Sequence, residues 1–458
     1  MDAESLYRRQ RAYFMKGQTR PAEFRIRQCE TLKRAVLEYE PQILAAIGKD
    51  MRRPETESYT SEVMMIIKEI DHAVRHIRSW MKPIRVRTSW MLRPGKGYIL
   101  PEPYGNALII GPWNYPFQLL LCPLVGAIAA GNTSVLKISE IAEHSAKVIE
   151  EMVSRYFEPE CIAAVQGGPE ETQQLLDQEF DYIFFTGSVA VGKIIMGKAA
   201  TRLTPVTLEL GGKSPCIVTP EARLKTAARR ICWGKFFNAG QTCIAPDYVL
   251  VQESIRDAFL ASLRDTLTQF YGRDIRESAD YGRIINRRHF RRLLRLMENQ
   301  KVFFGGETNE SELFIAPALL QDVSPQSPVM QEEIFGPLLP VLTYRSLDEA
   351  IHFIRSLPNP LALYLFSDKK ATQKRILQET SSGSVNINET LSQVTSTTLP
   401  FGGVGESGMG CYHGEESFRT FTHYKSVLHR SIRFDNSTKY APYRTPLKYL
   451  KRVMRLIG

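Results

Sequence analysis

The chain has 458 residues, 43% of them apolar, which is enough for about two or three globular domains with their own cores. Lysine and arginine number 59 against 49 aspartates and glutamates; the resulting +10 is mild at this length, and without an RNP, zinc-finger or homeodomain signature it excludes nucleic-acid binding as a primary role. Seven cysteines with no C-x-x-C pair argue against a disulfide framework and a zinc site and for a reducing compartment; no metal is expected.

The N-terminal "MDAESLYRRQ" has neither the apolar core of a signal peptide nor the acid-free composition of a transit peptide, so a cytoplasmic location is expected. Over the first eighty residues apolar and charged positions alternate at helical spacing, as in "RIRQCETLKRAVLEYEPQILAAIGKDM" and "SEVMMIIKEIDHAVRHIRSW". His72 and His76 lie four apart in the second stretch, but without an H-E-x-x-H context they read as part of a solvated face. "RTSWMLRPGKGYILPEPYG" reads as two strands around a Pro-Gly-Lys-Gly turn, a hairpin able to project from the body. Residues 103–136 carry no charge, yet Gly111, Pro112, Asn114, Pro116 and Pro123 interrupt them, so "NALIIGP" reads as a buried strand and "FQLLLCPLVGAIAAGN" as a buried helix ended by Gly131 rather than as a membrane span.

From Asn106 onward short apolar strands alternate with helices: "SVLKI" then "SEIAEHSAKVIEEMVSRY", "CIAAVQ" then "PEETQQLLDQ", "YIFFT" then "GSVAVGKIIMGKAA". A second series starts near Val206 and runs through "DYVLVQE", "IAPALLQ", "GPLLPVLTY" and "LALYLFS". The pattern predicts two doubly wound α/β domains built on parallel sheets. With no Gly/Ser linker between them, the cleft where they meet is the expected ligand site.

"FFNAGQTCIAPDYV" sets Cys243 in a turn of small polar residues. A lone cysteine is ordinarily a small core hydrophobe, whereas beside free backbone N–H groups it is a nucleophile. "YIFFTGSVAVGK" places Gly187 and Gly192 where a strand turns into a helix, a position suited to a pyrophosphate, although the G-x-G-x-x-G spacing is missing. "PWNYP" holds Asn114, "LKISE" holds Lys137 and Glu140, "LELGGKSP" holds Glu209, and "EEIFGP" holds Glu333. Singly these are a turn asparagine, a solvated pair and two element-end carboxylates.

Together, and in this order with "GQTC", the motifs resemble the aldehyde dehydrogenase superfamily, and "LPFGGVGESGMG" resembles its C-terminal glycine-rich motif. The short N-terminus and the "CIAPDYV" context look most like the class 3 branch, which acts on aromatic and medium-to-long aliphatic aldehydes. The resemblance implies oxidation of aldehydes to acids with Cys243 as nucleophile, and with Asn114 and the Cys243 N–H as oxyanion donors. It implies Glu209 as the base that hydrolyses the thioester to a free acid. It further implies Lys137 and Glu140 at the adenosine ribose, Glu333 and Phe335 at the nicotinamide ribose, and Trp113 and Ser188 near the pyrophosphate. Glu140 favours NAD as cofactor by repelling the extra phosphate of NADP, although class 3 relatives with this glutamate often accept both. Ile244 is expected in an apolar pocket wall, and Asn388 in "VNINET" sits where relatives place a polar pocket residue.

The resemblance gives a Rossmann-like NAD(P)-binding domain over 1–79 and 103–208 and a catalytic domain over 209–393. A small β extension over 80–102 and 394–431 would serve oligomerisation, and a basic amphipathic tail occupies 432–458. In the tail Leu447, Leu450, Val453, Met454 and Ile457 share one helical face, with Lys448, Lys451, Arg452 and Arg455 elsewhere. Such a helix can cover the substrate mouth, pack on a partner subunit or lie on anionic lipid. A homodimer with at most peripheral membrane contact is expected. Two other readings are a thiolate esterase activity and a catalytically silent structural or lipid-binding protein of the same fold.

Overall fold

The computed structural model describes residues 2–89, 92, 94–433, 435 and 439–457, with the side chains of Leu456 and Ile457 also outside the description. The N-terminal periodicity forms helices Ala3–Met15, Ala22–Glu38, Glu40–Met51 and Met64–Trp80. Asp2 caps the first by accepting from Ser5 N–H at 2.8 Å. Between Glu55–Ser58 and Met64–Trp80 the helix widens into a π turn at Tyr59–Val63, which the sequence pattern does not announce.

Six strands form one sheet, in the order Gly408–Met409, Val206–Glu209, Tyr182–Thr186, Asn106–Ile110, Thr133–Ser139, Ile162–Gly167. All pairs are parallel except the first, and the buried strands are rich in Val, Ile, Leu and Phe, as a sheet covered on both faces requires. The chain winds outward from Asn106–Ile110 in one direction and then returns to its other side with Tyr182–Thr186. The loops after these two strands therefore flank a topological switch point, where open α/β sheets bind ligands. Helix Gln118–Ala130 is buried along its length and stops at Gly131, whose φ is 92°. No helix among the described residues is long and apolar enough to cross a membrane.

The second sheet runs Lys301–Phe304, Ala318–Gln321, Leu338–Tyr344, Tyr248–Gln252, Pro215–Val218, Ala362–Phe366, Ser384–Ile387, parallel apart from its first pair. Both sheets lie in one compact unit, Met1–Trp80 with Pro103–His423.

The other unit, Met81–Glu102 with Tyr424–Gly458, is built on a three-stranded sheet of Ile84–Val86, Lys96–Pro103 and Thr422–His429. Its first strand lies ahead of the 87–92 stretch expected from the sequence. Leu92 N–H donates to Ser89 O and Gly95 N–H to Leu92 O, so the described residues there turn instead of extending. Trp90, Met91 and Arg93 of that hairpin lie outside the described residues. The stretch 394–431 is divided between the units, because Phe401 and Tyr412 exchange backbone hydrogen bonds and are buried in the first. The tail forms helix Leu447–Ile457, with Leu447, Leu450, Val453 and Met454 exposed.

Candidate active site

Cys243 lies in a turn between helix Leu224–Phe236 and strand Tyr248–Gln252, closed by Ala245 N–H donating to Thr242 O at 3.0 Å. Asn238 and Ala239 hold left-handed φ values of 52° and 51°, which turn the chain back on itself before the cysteine. Gly240 has φ +76°, and a Cβ there would sit 2.3 Å from the carbonyl oxygen of Gly336. Only glycine lets this loop close against the segment carrying Glu333 and Phe335. Gln241 is buried and locks the loop, donating to Asn238 O and Arg283 O and accepting from Ile285 N–H.

The first sheet supplies the opposing residues. Asn114 follows strand Asn106–Ile110, and its Nδ2 donates to Gln241 O at 3.0 Å, leaving its second N–H free of that bond. Tyr115 Oη meets Thr242 Oγ1 at 2.6 Å. Glu209 ends its strand, buried, and neither carboxylate oxygen has a hydrogen-bond partner among the described residues. Gly187 N–H donates to Glu209 O, and Ser188 caps helix Val189–Ala200.

Two cavities meet at Cys243. One, of about 480 Å³, is walled by Met64, Met65, Tyr115, Trp233, Phe237, Ile244, Leu391 and Phe401. The other, of about 300 Å³, is lined by Trp113, Asn114, Gly187, Ser188, Glu209, His289, Arg292, Glu333 and Phe335. Cys243 and Leu119 line both.

Burial pushes the Cys243 thiol up to about 12, with Glu333 and Glu209 acting in the same direction and the N–H groups of Cys243 and Ile244 against it. Burial also holds the Glu209 carboxyl well above its ordinary value. Glu333 is raised to about 8 by burial and by Asp247, opposed by the Gly212 N–H, Lys213 and Arg292. Two carboxyl groups held above their ordinary values thus line the same cavity as one thiol, a pattern that recurs at functional sites.

The model for the Aldehyde dehydrogenase family matches residues 1–427. The chain belongs to the aldehyde dehydrogenase family. It is 48% identical over 443 residues to the 4,4'-diaponeurosporen-aldehyde dehydrogenase of Staphylococcus aureus, with 96% of each chain covered. Over 440 residues it is also 48% identical to the dimeric NADP-preferring aldehyde dehydrogenase of Mus musculus, covering 96% of this chain and 97% of that one. A solved structure of Staphylococcus aureus AldH in its substrate-bound state superposes with a TM-score of 0.96 at 47% identity, covering 98% of this chain and 99% of that one. The class 3 type and the two-domain Rossmann-like fold follow, and the enzyme oxidises aldehydes.

In this aldehyde dehydrogenase most residues singled out in the sequence line the smaller cavity, but Lys137, Glu140, Gly192 and Asn388 line neither cavity. Lys137 and Glu140 face one another at 3.8 Å outside it, with Lys137 Nζ donating to Ile138 O at 2.8 Å. Gly192 offers no free N–H: it donates to Ser188 O at 2.9 Å, and a Cβ there would press to 2.7 Å from the Leu210 side chain. Its smallness lets helix Val189–Ala200 pack against Leu210. Asn388 lines neither cavity; its amide clasps the Ser367 backbone through Ser367 N–H and Ser367 O.

The sequence reading missed several contributors. Arg292 enters the smaller cavity as a cation and donates to Glu333 O and Ile334 O, which fixes the segment bearing Glu333. His289 packs against Trp113 at 5.1 Å, and burial with Arg292 and Arg288 lowers it to about 4. Buried Arg53 pairs with Glu62 and donates to Asn114 O at 3.0 Å, while Glu62 accepts from the N–H groups of Phe117 and Gln118. Their only sequence signal is a pair of charges at the edge of an apolar helical pattern.

Proposed function

We propose that this enzyme oxidises apolar aldehydes through a covalent adduct on Cys243, with the aldehyde entering from the larger cavity and NAD or NADP held in the smaller one. The observation that carries this reading is the position of Cys243 at the junction of the two. The smaller cavity fits a dinucleotide chemically: a serine-capped helix start and the Arg292 guanidinium suit a diphosphate, Glu333 suits ribose hydroxyls, and Trp113 and Phe335, 5.3 Å apart edge to face, offer aromatic walls.

Attack of the Cys243 sulfur on the carbonyl carbon forms a thiohemiacetal, with the thiol proton passing to a base. Asn114 Nδ2 and the Cys243 N–H stabilise the charge that develops on oxygen. NAD(P), when bound, accepts the hydride that leaves this carbon. Glu209 then takes a proton from water as it adds to the thioester, and collapse releases the acid and the thiol. Its raised pKa makes it a stronger base than an exposed carboxylate, and its unpartnered oxygens are available to orient that water.

Glu140 supports a preference for NAD, held beside Lys137 for the adenosine ribose. We extend the reading to a cytoplasmic homodimer, with the exposed apolar face of helix Leu447–Ile457 packing on protein and making at most peripheral contact with anionic lipid. Adding NAD and an aromatic or medium-chain aldehyde and following reduced nicotinamide by absorbance tests the catalytic assignment. Cys243→Ser, folded by circular dichroism, is expected to give no signal.

A further inference from the structure

The larger cavity is walled mainly by apolar and uncharged polar side chains. Among the described residues that line it, Glu57 alone has a charged side chain; no lysine, arginine or histidine joins it. The carboxylate is held by the fold: it accepts from Asn238 N–H at 3.0 Å, and its remaining hydrogen-bonding capacity has no partner among the described residues. The nearby cation, Arg53, is occupied elsewhere, paired with Glu62 and lying over the Tyr115 ring at 4.9 Å. Glu57 therefore brings a carboxylate, only partly offset by Arg53, to a cavity wall whose other described lining side chains are uncharged.

We propose that Glu57 sets the charge specificity of the substrate cavity, discriminating against aldehydes that carry a second, anionic group and favouring neutral ones of the same shape. Two unit negative charges in a half-buried site repel by several times what they would in water, so the effect falls on productive binding of the anionic aldehyde and hardly on the neutral one. Burial raises Glu57 to about 7; Arg53 and the Asn238 N–H oppose the shift, and Asp280 adds to it. The other titratable groups around it or in the same cavity wall are Tyr115, Tyr271, Tyr281, Tyr412 and Cys243, all raised and therefore neutral through this range. The discrimination is accordingly stronger at pH 8.5 than at pH 6.

Asn238 lies in the strained turn before Cys243, so Glu57 also positions that loop, and the test must separate charge from support. This inference rests on the assignment of the larger cavity to the aldehyde. The probes are 4-formylbenzoate and its neutral isostere 4-formylbenzamide, compared by kcat/KM with wild type and with Glu57→Gln, which keeps an acceptor for the Asn238 N–H. The wild-type ratio of neutral to anionic substrate is expected to rise between pH 6 and pH 8.5, and Glu57→Gln to lower the ratio at pH 8.5 by about tenfold or more. Equal losses on both substrates, with the ratio unchanged, would mean that Glu57 only supports the loop and would overturn the proposal. A wild-type ratio that does not change with pH overturns it without any variant. If the neutral aldehyde is not oxidised by wild type at all, the cavity assignment fails first and this inference falls with it.

Discussion

Asn114 Nδ2 donates to the carbonyl of Gln241 at 3.0 Å, tying the turn that leaves one sheet to the loop that carries Cys243 before the other. One side chain thus holds the two halves of the site in register and, in the proposed mechanism, offers its other N–H to the developing oxyanion. Asn114→Ala removes both functions. The expected loss in kcat is about 10²- to 10³-fold, the range for deletion of an oxyanion donor. Steady-state kinetics on a variant with a wild-type melting profile checks this.

The pH dependence follows from the directions of the shifts. In the proposed mechanism the reactive forms of Cys243 and Glu209 are anions, and burial raises both groups, so the reactive fraction grows with pH from neutrality toward the raised values. The rate of the first turnover, followed by stopped-flow absorbance of reduced nicotinamide, is expected to rise from pH 6 to pH 9. A flat profile would mean that deprotonation of Cys243 does not limit the first turnover, since Glu209 acts only after the hydride has left.

Glu140 governs the choice between cofactors if it faces the adenosine ribose. Glu140→Gln removes the charge that repels a 2′-phosphate while keeping a hydrogen-bonding side chain. The ratio of kcat/KM with NADP to that with NAD is expected to rise by about tenfold. Because Lys137 and Glu140 lie outside the smaller cavity, an unchanged ratio would place the adenosine end elsewhere.

Stability depends on the pair beneath Asn114. Arg53 and Glu62 have fully buried side chains, and Glu62 also receives the N–H groups that open the helix after the "PWNYP" turn. Glu62→Ala strands the guanidinium without a counter-charge and is expected to cost about 3 to 5 kcal/mol of unfolding free energy. Urea titration measures it. Replacing both residues with apolar ones of similar volume is expected to cost less.

The residues legible in the sequence are those whose chemistry is written in a short window. Cys243 follows Gly-Gln-Thr, Glu209 precedes Leu-Gly-Gly, and Asn114 stands between Trp and Tyr; each needs its own loop to be recognised, and loops are local. The parallel strands were legible for a similar reason, since both faces are buried and the apolar runs are continuous. Arg292 and the Arg53–Glu62 pair were not, because their meaning comes from partners far along the chain. The π turn at Tyr59–Val63 lies inside an unbroken helical pattern, so nothing local marks it. Gly192 is ambiguous in sequence because a glycine near a strand-to-helix turn serves phosphate access and helix packing with the same local signature.

The most direct test of the central claim uses Glu209→Gln, in which the acyl group should form but not leave. Mixed with NAD and benzaldehyde, this variant is expected to release a single burst of reduced nicotinamide, and peptide mass spectrometry is expected to find a benzoyl group on the peptide containing Cys243. An acyl group on another cysteine, or steady turnover at the wild-type rate with no adduct at Cys243, would contradict the account.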